Sequence, residues 1–173
     1  MGKNRKTYKE AIDNNINMNP GNPKGLPDES LFQNTIVFID EAFLSKLSKF
    51  LGEGKYIKFD RSVFARNIAK KQKLNCEHIF LYIAPPFQDS IPSNEQFTKI
   101  KKIILISSDS DFVPVIKNLE DNEVKTILYT YYERGRSAEF STSNELIKSV
   151  NKYILLDKED LTSANILKEN ISK

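Results

Sequence analysis

The chain has 173 residues, of which 39% are hydrophobic; this suffices for one ordinary domain with a packed core, and no apolar run reaches membrane-spanning length. Lys and Arg total 26 against 23 Asp and Glu, a net charge of +3 that is compatible with a nucleic-acid partner but does not argue for one. A single cysteine, Cys76, excludes an internal disulfide framework and suits a reducing cytoplasm, and the polar start "MGKNRKTYKEAIDNNINMNP" has no secretory apolar core.

Residues 1–33 carry few large apolar groups and pass through "NPGNPKGLPDES". Proline, glycine and asparagine at this density bury too little surface to offset ordering entropy, so a flexible polar tail is expected there. Order begins at "TIVFID" (35–40), a β-branched and aromatic run without alternation, as a parallel strand buried on both faces requires. "AFLSKLSKFL" then sets Phe43, Leu44, Leu47, Phe50 and Leu51 on one helical face, and "GEG" stops it. Asp60 is placed to cap "RSVFARNIAKKQ", an amphipathic helix with a basic outer face. "HIFLYIA" (78–84) reads as a strand ended by Pro85-Pro86.

"KKIILIS" (101–107) is a further buried strand, followed by a helix over "DFVPVIKNLEDN" with Pro114 in its first turn. "VKTILYTYY" (124–132), a helix over "STSNELIKSVN" and a short strand "YILLD" (153–157) complete a domain expected over 34–161, with a C-terminal helix or tail at 162–173. Strands alternating with helices imply an α/β fold with a mainly parallel central sheet and helices on both faces. One connection is thin: residues 87–100, "FQDSIPSNEQFTKI", must supply a crossover that normally takes a full helix.

The chemistry concentrates at strand ends. Ligands of open parallel sheets bind outside the carboxyl ends of the strands, where the strand order reverses. Asp40 ends the first strand, and Asp109 and Asp111 follow the third in "ISSDSDF". If those strands are neighbours, three carboxylates meet, and like charges so close need a cation between them. Mg²⁺ accepts one or two carboxylates plus water and phosphate oxygens. Each aspartate taken singly reads as an N-cap for the helix that follows it, and only their grouping at the ends of two central strands favours a metal site. Glu41 is a further carboxylate beside Asp40. In "YTYYERGR" (129–136), Tyr129, Tyr131 and Tyr132 interleave with Arg134 and Arg136. Rings that stack on unpaired bases and guanidinium groups that grip phosphate would make this an RNA-contacting loop. A strand with a solubilising exit loop is the alternative. His78 and Cys76 read as structural.

At these residues the sequence resembles the NYN branch of the PIN-like ribonucleases, in its LabA-like group. The matching stretches are "VFIDEAFL", "YIAPPFQ", "KIILISSDSDFVPVIKNLEDNEVKTILYTYYE" and "SNELIKSVNKYILLDKEDL". The resemblance implies a three-layer PIN-like α/β fold and Mg²⁺- or Mn²⁺-dependent endoribonuclease activity. It carries metal-binding and catalytic roles onto Asp40, Asp109 and Asp111, and substrate contacts onto Ser107 and Ser108, where the family has a small-residue pair. RNA is the partner it implies, with no membrane; a homodimer is the other association considered. Glu41 and Phe43 stand where the family commonly has Gly and Asn, and a long stretch with another acid is absent before "TKIKKIILI". These departures define a second reading, an NYN-type protein that binds RNA with weakened or no turnover. A phosphatase of the haloacid-dehalogenase type is a third class, since its nucleophile loop also has D-x-D after an apolar strand, but Phe112 and Val113 stand where that family uses Thr.

Overall fold

The computed structural model describes residues 31–83, 100–133 and 139–165. The expected tail up to residue 30, the thin crossover with Pro85-Pro86, the Arg134–Arg136 loop and the end of the chain from 166 lie outside the described residues. Five strands form one sheet: β1 (Gln33–Asp40), β2 (Leu74–Tyr82), β3 (Lys102–Ile106), β4 (Lys125–Thr130) and β5 (Lys152–Leu155). Its order is β2-β1-β3-β4-β5, and every adjacent pair is parallel. Helices α1 (Glu41–Leu51) and α2 (Arg61–Lys71) separate β1 from β2. A single 3₁₀ turn (Ser110–Phe112) and α3 (Val113–Asp121) follow β3, α4 (Asn144–Ser149) precedes β5, and α5 (Lys158–Thr162) follows it.

Alternation along each strand divides the core into two sides of the sheet. On one side Val37, Ile39, Ile104, Ile106, Ile127 and Tyr129 pack against α1, α2 and α5 through Leu44, Leu47, Phe64, Ile68 and Leu161. On the other, Leu105 and Leu128 meet Val113, Ile116 and Leu146 of α3 and α4, with Ile36, Ile103 and Phe38 alongside. Helix, sheet and helix make three layers, the α/β architecture expected from the alternating elements. Among the described residues no helix is long and apolar enough to cross a membrane.

Local chemistry accounts for the helix boundaries. Asp60 caps α2 by accepting from the Val63 amide at 2.8 Å. Pro114 sits in the first turn of α3, where an amide hydrogen would have no partner. The turn after α1 takes Glu53 to φ 55° and Gly54 to φ 89°, the left-handed conformation that the "GEG" signal foresaw. Strand β2 starts at Leu74, four residues earlier than the apolar run suggested. It is an edge strand, so the polar Asn75 and Glu77 face solvent and break the run that marks a strand buried on both faces.

Tyr129 is fully buried in β4 and accepts a hydrogen bond from Gln72 Nε2 at 2.6 Å. Burial pushes its phenol up to about 12, with the Gln72 hydrogen bond opposing the rise and the Asp160 charge adding to it. An unfolded tyrosine ionises near pH 10, so the neutral buried ring favours the fold below that pH and the benefit is lost as pH rises from about 10 through 12. The whole swing is about 2–3 kcal/mol. Tyr129→Phe, which cannot ionise, should flatten this part of a stability–pH curve, and parallel curves for the two proteins in alkaline denaturation would show that the phenol is not the group responsible.

Candidate functional site

The chain leaves β1 toward β2 on one side, whereas β3, β4 and β5 progress to the other, so the strand order reverses between β1 and β3. A crevice outside the carboxyl ends of these two strands is where such sheets hold ligands. Ile39 pairs with Ile106, which brings the next residue of each chain, Asp40 and Ser107, level with one another. The adjacency that the sequence left open is therefore present.

Four residues there form one hydrogen-bonded run. Asp40 Oδ1 accepts from the Phe43 amide at 3.0 Å, capping α1, and its Oδ2 accepts from the Ser107 hydroxyl at 2.9 Å. Ser107 is completely buried; its Oγ accepts from the Asp109 amide at 3.1 Å, and its own amide donates to the Tyr129 carbonyl at 3.1 Å. Asp109 Oδ1 accepts from the Asp111 amide at 3.0 Å and caps the 3₁₀ turn. Cap and assembly are thus the same arrangement: Asp40 and Asp109 cap the elements that follow them, and the two caps are joined through Ser107. Asp109 and Asp111 are exposed, Asp40 and Ser108 partly so. Ser107→Ala would leave the Asp109 amide without its acceptor and Asp40 with one partner fewer, a loss of about 1–3 kcal/mol by chemical denaturation. A midpoint equal to wild type would show that the bridge holds nothing in place.

The donor set is all oxygen, which suits a hard cation such as Mg²⁺ or Mn²⁺. The second oxygen of Asp109 and the Asp111 carboxylate accept no hydrogen bond among the described residues. Also among the described residues, no group of three or more His, Cys, Asp or Glu side chains could hold a metal ion. An ion here would rest on one or two of these carboxylates, with water and phosphate completing its shell. Glu41 is occupied elsewhere, meeting Arg61 at 2.6 Å and accepting from Ser45 at 2.9 Å. Burial alone would raise the Glu41 carboxyl, but hydrogen bonds from Arg61 and Ser45 and the Arg61 charge outweigh it and hold it below the ordinary value. Phe43 points into the core and meets Phe140 edge-on at 6.3 Å, so packing explains an aromatic at that position.

Two of the tyrosines in and just after β4 serve the fold: Tyr129 is buried, and Tyr131 packs on Phe50 and Phe140 at 5.8 and 5.4 Å. Arg134 and Arg136 lie outside the described residues. The aromatics beside the carboxylates are instead Tyr82, in register with Asp40, and Phe112, directly after Asp111. Only the strand register reveals Tyr82, because nothing in "HIFLYIA" distinguishes it from its neighbours.

The NYN domain family model matches residues 95–157. This stretch is similar to the NYN domain. The NYN domain is a family of PIN-like ribonucleases, and the matched span carries Ser107, Ser108, Asp109 and Asp111 together with β3, β4 and β5. Strand β1, with Asp40, precedes the span and joins it through the sheet. No curated protein and no solved structure matches the chain.

Proposed function

We propose that this protein is an endoribonuclease that hydrolyses RNA phosphodiester bonds with Mg²⁺ or Mn²⁺ at Asp40, Asp109 and Asp111. The observation that supports this most is the Ser107 hydroxyl, which ties Asp40 to the 107–111 turn at the point where strand order reverses. A bound ion would supply a water of lowered pKa and neutralise charge on the phosphate. Asp109 and Asp111 offer the exposed oxygens, Asp40 sets the position of the turn through Ser107, and Ser108 lines its rim. Arg134 and Arg136 are the proposed phosphate contacts. A reducing cytoplasm suits the lone thiol of Cys76, which burial pushes up, away from a reactive thiolate.

A second reading, RNA binding with weak or no turnover, is favoured by the lack of a three-carboxylate group among the described residues. Titrating Mg²⁺ and Mn²⁺ into the intact chain with single-stranded RNA separates the two. Cleavage that rises with metal and stops with EDTA supports the nuclease. Salt-dependent binding without products at any metal concentration would support the second reading and remove the first.

A further inference from the structure

We propose that Tyr82, backed by Phe112, is a stacking platform for an unpaired base next to the phosphate at the acidic turn, so that the site takes single-stranded rather than duplex RNA. The inference rests on the RNA-directed reading above and names the form of RNA and the residue that selects it.

Strand register places the ring. Asp40 pairs with Tyr82 and Phe38 with Phe80, and paired residues on adjacent parallel strands share a face of the sheet. Phe38 and Phe80 confirm this by stacking at 5.2 Å with 16° between their planes. Asp40, Tyr82 and Ser107 therefore lie together at the carboxyl ends of three neighbouring strands. Phe112 packs on the core of Leu105, Val113 and Leu146, and Tyr82 meets it edge-on at 5.7 Å and 74°. One ring is anchored, and the other leans on it with 54% of its surface open.

The pattern of exposure along β2 singles out this end. Leu74 is 1% exposed and Cys76 and Ile79 are partly covered, whereas Leu81, Tyr82 and Ile83 open to 48%, 54% and 66%. An edge position alone would expose apolar groups along the whole strand. Here the opening begins at Phe80, 41% exposed, and widens toward the end that carries the carboxylates.

The chemistry of the rim decides the occupant. An exposed aromatic face beside exposed carboxylates suits a ligand with a flat apolar face and a charged link that a cation can bridge to those acids. A nucleotide has both. Aromatic rings presented by a sheet stack on splayed bases of any type. Bases inside a duplex have both faces covered by their neighbours and cannot reach the ring without leaving the stack.

The test uses the intact chain. Anisotropy in Ca²⁺, which can bridge phosphate to the carboxylates, reads binding of a labelled single strand and of the same strand in a duplex, with gels showing that the strand stays intact, and cleavage is read separately with Mn²⁺. Tyr82→Ala should weaken single-strand binding about 10-fold, the order of one lost base–aromatic stack, and leave duplex binding unchanged. Tyr82→Phe, which keeps the ring, should restore the wild-type affinity. Equal affinities for wild type and Tyr82→Ala would overturn the platform, as would equal losses on single strand and duplex. So would a lowered thermal midpoint with affinity unchanged, which would assign the ring to the fold. If wild type cleaves RNA and Tyr82→Ala binds and cleaves alike, the platform fails while the nuclease stands. If Tyr82→Ala loses single-strand binding and no protein cleaves, the platform stands while the nuclease fails.

Discussion

Asp109→Asn is expected to leave the chain folded and to reduce metal-dependent RNA cleavage by about 100-fold or more. The side chain has two separable duties. Its Oδ1 accepts from the Asp111 amide and starts the 3₁₀ turn, and asparagine, an equally good cap, retains that oxygen. What the substitution removes is the negative charge, and with it one anionic oxygen of a site that has few to spare. Circular dichroism and the denaturation midpoint should match wild type while turnover collapses. If the variant cleaves as fast as wild type in the same metal, Asp109 does not serve the reaction and the nuclease assignment to this turn is wrong. Raised metal concentration gives a second readout: partial recovery would indicate lost affinity, and none would indicate loss of a group acting on the substrate.

The largest effect on stability is expected from Phe64→Ala, at about 3–5 kcal/mol. Phe64 is completely buried where α2 meets the sheet and packs edge-on against Phe59, with ring centroids 5.3 Å apart. Truncation removes one of the largest buried side chains, and the surrounding helix and strands are too closely packed to refill the space. For a chain of this size the thermal midpoint should fall on the order of 10 °C. A fall of only a degree or two would mean that the α2 layer is loosely packed. The neighbourhood also bears on the site: the Phe59 ring lies 4.4 Å from the Arg61 guanidinium, and Arg61 holds Glu41 at the start of α1. A cavity at Phe64 should therefore disturb the helix that Asp40 caps.

Much of this arrangement could be read from the residues. Asp60, Pro114 and the "GEG" turn carry helix-boundary signals that act over three or four residues, so sequence alone locates them. Strands β1 and β3 stand out because a strand covered on both sides must be apolar throughout. Edge strand β2 was harder, since solvent tolerates Asn75 and Glu77 in its first half. The three aspartates could be listed but not distinguished as caps or ligands, because both roles ask for the same carboxylate in the same place. Deciding which aromatics lie beside them needed the pairing of strands more than 40 residues apart, which no local pattern encodes. The interleaved tyrosines of 129–132 drew notice in the sequence, yet Tyr129 is enclosed and Tyr131 packed, whereas Tyr82 is open.

The run through Ser107 has a direction. The Asp111 amide donates to Asp109, the Asp109 amide to Ser107, and the Ser107 hydroxyl to Asp40. The carboxylates of Asp40 and Asp109 receive and neither gives, so the turn is wound around its own negative charge. Backbone dipoles thus keep acidic groups at fixed positions while their outward oxygens stay available. The reorganisation that a cation would impose on a flexible acidic loop is largely met during folding, so a cation binding at the proposed site would find its electrostatic environment already oriented.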